Sequence, residues 1–177
     1  MNNWLTALGA ALALVAVNAG AANAGPTDAQ IADIVVTANQ VDIDAGKLAQ
    51  SRAQSKEVKD FAQLMVTDHS AVNKSAVELV TKLHVTPEPN DTSKGLQQGG
   101  DANIAALKKL SGAAFDKAYV DHEVTYHQAV LDAVDKTLIP NARNAELKAL
   151  LVKVRPAFVA HLEHAKQLQA SLGKAGG

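Results

Sequence analysis

Six histidines are spread through this chain, and His69, His127 and His161 fall where apolar residues recur at helical spacing. Asp42 and Glu123 share that placement, and His122 lies at the edge of its stripe. Imidazole and carboxylate groups on the apolar side of a helix are bound for an interior, where burial is costly unless each finds a partner. Three imidazoles and two carboxylates make a mixed nitrogen and oxygen donor set. Such a set suits Zn, Cu(II), Fe or Mn, whereas Ca and Mg prefer shells made of oxygen alone. Glu123 and His127 present two of these donors across one helical turn. The competing reading has no ion. Neutral His69, His127 and His161 would then be held by Asp42 and Glu123 in a hydrogen-bonded layer that fixes helix register. Transition-metal binding and a non-catalytic structural or stress-associated envelope protein with a buried polar network both remain open at this level.

The remaining polar residues carry less. His164, three after His161, is expected to face solvent, and His84 ends its helix. Asp68 is expected at a helix flank, solvated or paired within its own helix. Asn73, one turn beyond His69, is a candidate to orient that ring. Tyr119 and Tyr126 read as core aromatics with a polar tip. No serine sits in a nucleophile elbow, and the glycines do not follow a phosphate-binding spacing. With 17 basic and 18 acidic residues, no basic patch points to nucleic acid. Absence of cysteine removes disulfides and thiolate ligands. The balance favours a binding protein over an enzyme, a metal-dependent oxidase being the minority reading. No protein partner is indicated, and a homo-oligomer stays open.

The elements that must position these groups follow a leader. A polar start, the apolar run Leu5–Val17 and the small-residue site Ala22-Asn23-Ala24 have the layout of a secretory signal peptide cleaved near Ala24. That run is shorter than the ~20 residues of a membrane span. The expectation is a periplasmic or secreted protein with no transmembrane segment after processing. Residues 25–177 then form one domain, large enough for a core without staples. Aromatic residues are only 3% of the chain and alanine is plentiful, which suits closely packed helices.

Four long helices are predicted: Thr27 to Arg52, Ser55 to about His84, Gly112 to Leu138 and Ala142 to Leu172. Pro140 is expected to end the third, Pro156 to kink the fourth and Gly173 to stop it. Pro87, Pro89, Asn90-Asp91, Gly95 and Gly99-Gly100 mark the segment between helices two and three as breaker-rich, with a short helix over Ala102–Leu110. Two tight turns, near Ala53 and Pro140, imply two antiparallel hairpins. Val85 to Ser111 is enough chain to travel back along a bundle of about 40 Å. The expected fold is therefore all-α, a ferritin-like four-helix bundle with a long crossover connection between helices two and three. An up-down-up-down bundle with a loose connection is the alternative. At ~100° per residue, Glu123 lies near the middle of its apolar arc, with His127 and His161 within ~40° of theirs. Counted along the helices, all five groups fall within about 6 Å of one level.

Phe61-Ala-Gln-Leu-Met65-Val-Thr-Asp68-His69 with Asn73 beyond it, Ser111-Gly-Ala-Ala-Phe115-Asp116-Lys-Ala-Tyr119 followed by His127, and Pro156 followed by His161-Leu162 and Ala165 together resemble the DUF4142 family. The likeness runs from about Thr27 to Leu172. It implies an exported bacterial protein of ferritin-like fold, in a family of mostly unknown function. The wider ferritin-like pattern puts Glu on two helices and Glu-x-x-His on the other two. Here Val66 and Phe158 stand three before His69 and His161, and Asp42 replaces the first Glu. A bridging di-iron centre is disfavoured, and a single ion or none fits better.

Overall fold

Helix starts are written in the caps. Thr27 accepts from the Gln30 amide while the Gln30 side chain accepts from Thr27, a reciprocal capping box that begins α1 (Asp28–Arg52). Ser55 caps α2 (Lys56–Lys82), and Asn90 caps α3 (Asp91–Leu107). The chain continues through α4 (Gly112–Ala133), a π-helical segment (Val134–Leu138), the short α5 (Ile139–Asn141) and α6 (Ala145–Ala175). The computed structural model describes residues 25–175, so the expected signal peptide, residues 1–24, lies outside the described residues. Among those described, there is no strand, and no helix is long and apolar enough to cross a membrane.

Direction follows from the latches at each end. Asp28, at the start of α1, accepts from the backbone amides of Arg143 and Asn144 at 2.8 and 2.9 Å. Asp116, near the start of α4, accepts from Gln54 and Ser55 at 2.9 and 2.7 Å. Each hairpin thus grips the turn of the other, and α1 and α4 run antiparallel. Between them α3 runs beside α1, tied at its far end by the Arg52 guanidinium, which donates to the carbonyls of Lys108 and Leu110. The result is the expected four-helix bundle with a long crossover, built from α1, α2, α4 and α6.

Three expectations about breakers were wrong. The crossover helix is not a short piece at Ala102–Leu110 but starts at Asp91 and runs through Gly95, Gly99 and Gly100. Gly100 is buried, and a Cβ there would stand 2.8 Å from both methyl carbons of Val41. It allows two helices to approach and does not end one. Nor does Pro140 stop the third long helix. The Ile139 amide bonds to Val134, five residues back, and this wider turn carries the chain into α5 with Pro140 inside it. At the other hairpin the last helix begins at Ala145 instead of Ala142. Pro156 sits on its exposed side, and the helix passes Gly173 to Ala175.

The core falls into two apolar ends. Phe61, Met65, Leu107, Phe115 and Tyr119 fill one, and Ile31, Val35, Val134, Leu138 and Leu151 fill the other. Between them, beside Val72, Leu131 and Phe158, lies the polar layer.

Candidate metal centre

Each of the four bundle helices sends polar side chains into this layer: Asp42 from α1, His69 from α2, Glu123 and His127 from α4, His161 from α6. All five are at most 3% exposed. The ring centroids of His69, His127 and His161 lie 5.2 to 5.5 Å apart. One donor atom from each of these histidines falls within 4.8 Å of the others, and Asp42, Glu123 and His127 form a second such group. His127 belongs to both. The five predicted residues therefore converge, as angle and depth along the helices suggested.

What surrounds the rings decides their chemistry. Asn39 donates its amide to the Val35 carbonyl at 2.7 Å, which turns its oxygen toward His69 Nδ1, also at 2.7 Å. His69 must therefore carry its proton on Nδ1. His127 Nδ1 lies 3.1 Å from the Glu123 carbonyl, an acceptor only, so its proton is there too. His161 Nε2 meets Asp68 Oδ2 at 2.9 Å and donates to it. Each ring is thus held by one nitrogen, through three different acceptors. The opposite nitrogens, His69 Nε2, His127 Nε2 and His161 Nδ1, are buried with no hydrogen-bond partner. So are both carboxylate oxygens of Asp42 and Oε2 of Glu123. Asp42 Oδ2 lies 3.1 Å from His69 Nε2 and 3.4 Å from His127 Nε2. An oxygen lone pair facing two nitrogen lone pairs requires something positive between them, either a proton or a cation.

Burial sets the charges. It pushes Asp42 well above the usual carboxylate range, reinforced by Glu123 and opposed by His127. Glu123 rises to about 8 for the same reason, against a smaller lowering by the Tyr119 hydroxyl beside it. His69 is held well below its ordinary value by burial and by the two neighbouring rings. His161 is lowered by burial, with Asp68 pulling the other way. Without a cation these shifts favour neutral His69 and His161 and protonated acids.

The weaker candidates fall out differently. Asp68 is neither purely solvated nor paired within α2, because α6 packs close enough to bring His161 to it. Asn73 does not orient His69; it donates to the Val36 carbonyl at 3.3 Å. The orienting residue is Asn39, three before Asp42 on the same helical face, and that spacing was the available signal. His164 is half-buried with its ring edge-on to Phe61, 5.0 Å between centroids, and does not simply face solvent. His122 is half-buried and stacked on Tyr126, whose hydroxyl donates to the Ala38 carbonyl, apart from the other rings. His84 is exposed beyond the end of α2.

Comparison with known proteins adds a family and a fold. A family model described as "Domain of unknown function (DUF4142)" matches residues 13–168. A solved structure titled "CopM in the Cu(II)-bound form" is similar in fold, with a TM-score of 0.64 and 19% sequence identity. The match covers 82% of this chain and 98% of that one. No curated protein is similar enough to match.

Proposed function

We propose that this chain, which belongs to the DUF4142 family, binds one transition-metal ion in the polar layer of its bundle. His69, His127 and His161 supply nitrogen donors, Glu123 a carboxylate, and Asp42 a possible fifth ligand. The observation that carries this reading is the set of three partnerless imidazole nitrogens, two of them within 3.4 Å of Asp42. Fixing the far nitrogen of each ring to an acceptor is how metal sites hold histidine in the ligating tautomer. Copper is the first ion to test, since the similar structure is titled as Cu(II)-bound. The donor set also suits Zn, Fe and Mn.

Protein purified without chelator is expected to hold about one equivalent of metal by elemental analysis. Chelation should lower its melting temperature, and His161→Ala should abolish both metal content and that response. A ligand bound only to the native state at 1,000 times its Kd adds about 4 kcal/mol. No metal on purification, together with no thermal shift on adding Cu(II) or Zn(II), would remove the reading. Oxygen uptake with added Fe(II) would instead support the metal-dependent oxidase.

One observation favours a second reading. Asp42, kept protonated by burial, has Oδ2 3.1 Å from His69 Nε2, so a proton rather than a metal can stand between them in a structural envelope protein. Export completes the proposal: a periplasmic or secreted protein, cleaved near Ala24, whose mature chain begins at Gly25. N-terminal sequencing of the protein from the periplasmic and secreted fractions tests this.

A further inference from the structure

Toward the end of the bundle where α1 begins, a cavity of about 130 Å³ borders the polar layer. Its walls come from Ile34 and Val35 of α1, Val130 of α4, Val134 and Leu138 of the π-helical segment, and Leu151 of α6. The rings of His69, His127 and Phe158 also line it. Asn39 and Tyr126 at its border have their heteroatoms engaged elsewhere, while the Nε2 atoms of His69 and His127 lie 3.1 and 3.4 Å from Asp42 Oδ2. Asn39 is committed to Val35 and His69, and the Tyr126 hydroxyl to the Ala38 carbonyl. What faces the space is therefore almost entirely carbon. The wider turn at Val134–Leu138 forms part of this wall.

Water is a poor occupant, because it needs two to four polar partners. A dry cavity of roughly 150 Å³ lined by Leu, Ile and Phe instead takes up benzene or xenon. Access is also built. A second cleft of about 300 Å³ shares Ile34, Thr92, Ala133 and Leu138 with the cavity and is bordered by Gln30, Asn90 and Asp91. It forms a vestibule between the start of α3 and the π-helical segment.

We infer that the cavity is a binding site for a small, uncharged, apolar molecule about the size of benzene, which enters past Thr92 and Ala133 and lodges against His69 and His127. The site needs only the cavity. That a guest would then sit beside two ligands of the ion rests on the metal-binding reading.

Methyl-resolved NMR of the whole chelator-treated chain, titrated with benzene and separately with xenon, tests the inference. Saturable shifts are expected at Ile34, Val130, Val134 and Leu151, with Val58 and Val120 at the far end unmoved. Ala133→Phe, which fills the inner vestibule, should weaken benzene binding at least about tenfold while the other methyl signals keep their positions. The wild-type titration decides the question even if that variant does not fold. No saturable shift, shifts spread equally to Val58 and Val120, or undiminished binding in folded Ala133→Phe would overturn the inference. Because the protein is metal-free, failure here leaves the ion reading intact, and failure to take up metal leaves this one intact.

Discussion

A neutral histidine has two nitrogens and one proton, so whatever grips the protonated nitrogen decides what the other can do. Here an amide, a backbone carbonyl and a carboxylate do the gripping for His69, His127 and His161 respectively. Asn39 is the most demanding case, since its own orientation is fixed in turn by Val35. Replacing it, as Asn39→Ala, should free the His69 ring and lower metal affinity roughly 10- to 100-fold in a competition titration, with helical content unchanged. A merely structural Asn39 would lower the melting temperature and leave affinity alone. The five converging residues were legible in the sequence because a donor on an apolar stripe has an angle and a depth that can be counted. Asn39 and Asp68 were not. An amide is not a ligand type that draws notice, and Asp68 lies off the stripe, reaching His161 only because α6 packs against α2. Position 158 acquires a meaning too: its Phe ring lies parallel to the His69 ring at 5.3 Å, where the di-iron pattern would want a carboxylate.

Helix boundaries near polar caps could be read, because Thr27 and Ser55 announce the starts of α1 and α2 through side chains that satisfy free amides. Glycine and proline were harder. The same residue that breaks an isolated helix also lets two helices touch, and only the neighbour distinguishes the cases. Gly100 faces Val41, a β-branched residue with little rotamer freedom that is itself buried. Gly100→Ala should therefore destabilise the protein by about 1–3 kcal/mol in urea unfolding, through overpacking between α1 and α3. On helix propensity alone the substitution would stabilise by about 1 kcal/mol, so the sign of the change decides between breaker and spacer. Gly95 and Gly99 meet nothing within 4 Å of an added Cβ and serve as internal controls, expected to gain from the same substitution. The two aspartate latches, Asp28 and Asp116, repeat one device at opposite ends of the bundle. Each hairpin thus holds the other's turn in the same way.

At the scale of the whole molecule, the polar layer ties stability to pH in a way that depends on the ion. Consider the metal-free protein. Burial raises Asp42 and Glu123 above their unfolded values, Glu123 to about 8, so the folded state keeps protons that the unfolded chain has released. Stability then falls as pH rises, because the native state binds more protons than the unfolded one. His69, His122 and His161 are lowered by burial and act in the opposite sense. The unfolded chain gains protons on them as pH drops below 6.5, and stability is lost toward acid. Above about pH 7 those rings are neutral in both states and only the acids remain. Between about pH 7 and about pH 8 the metal-free protein should lose up to about 1.4 kcal/mol per pH unit for each acid still protonated. Metal loading reverses this. An ion binds deprotonated donors and expels the same protons, so the loaded protein should hold or gain stability across that window. Urea unfolding of chelated and loaded protein at both pH values measures the two slopes. Opposite slopes would tie the ion to this layer of carboxylates and rings; equal slopes would mean that any bound metal sits elsewhere on the molecule.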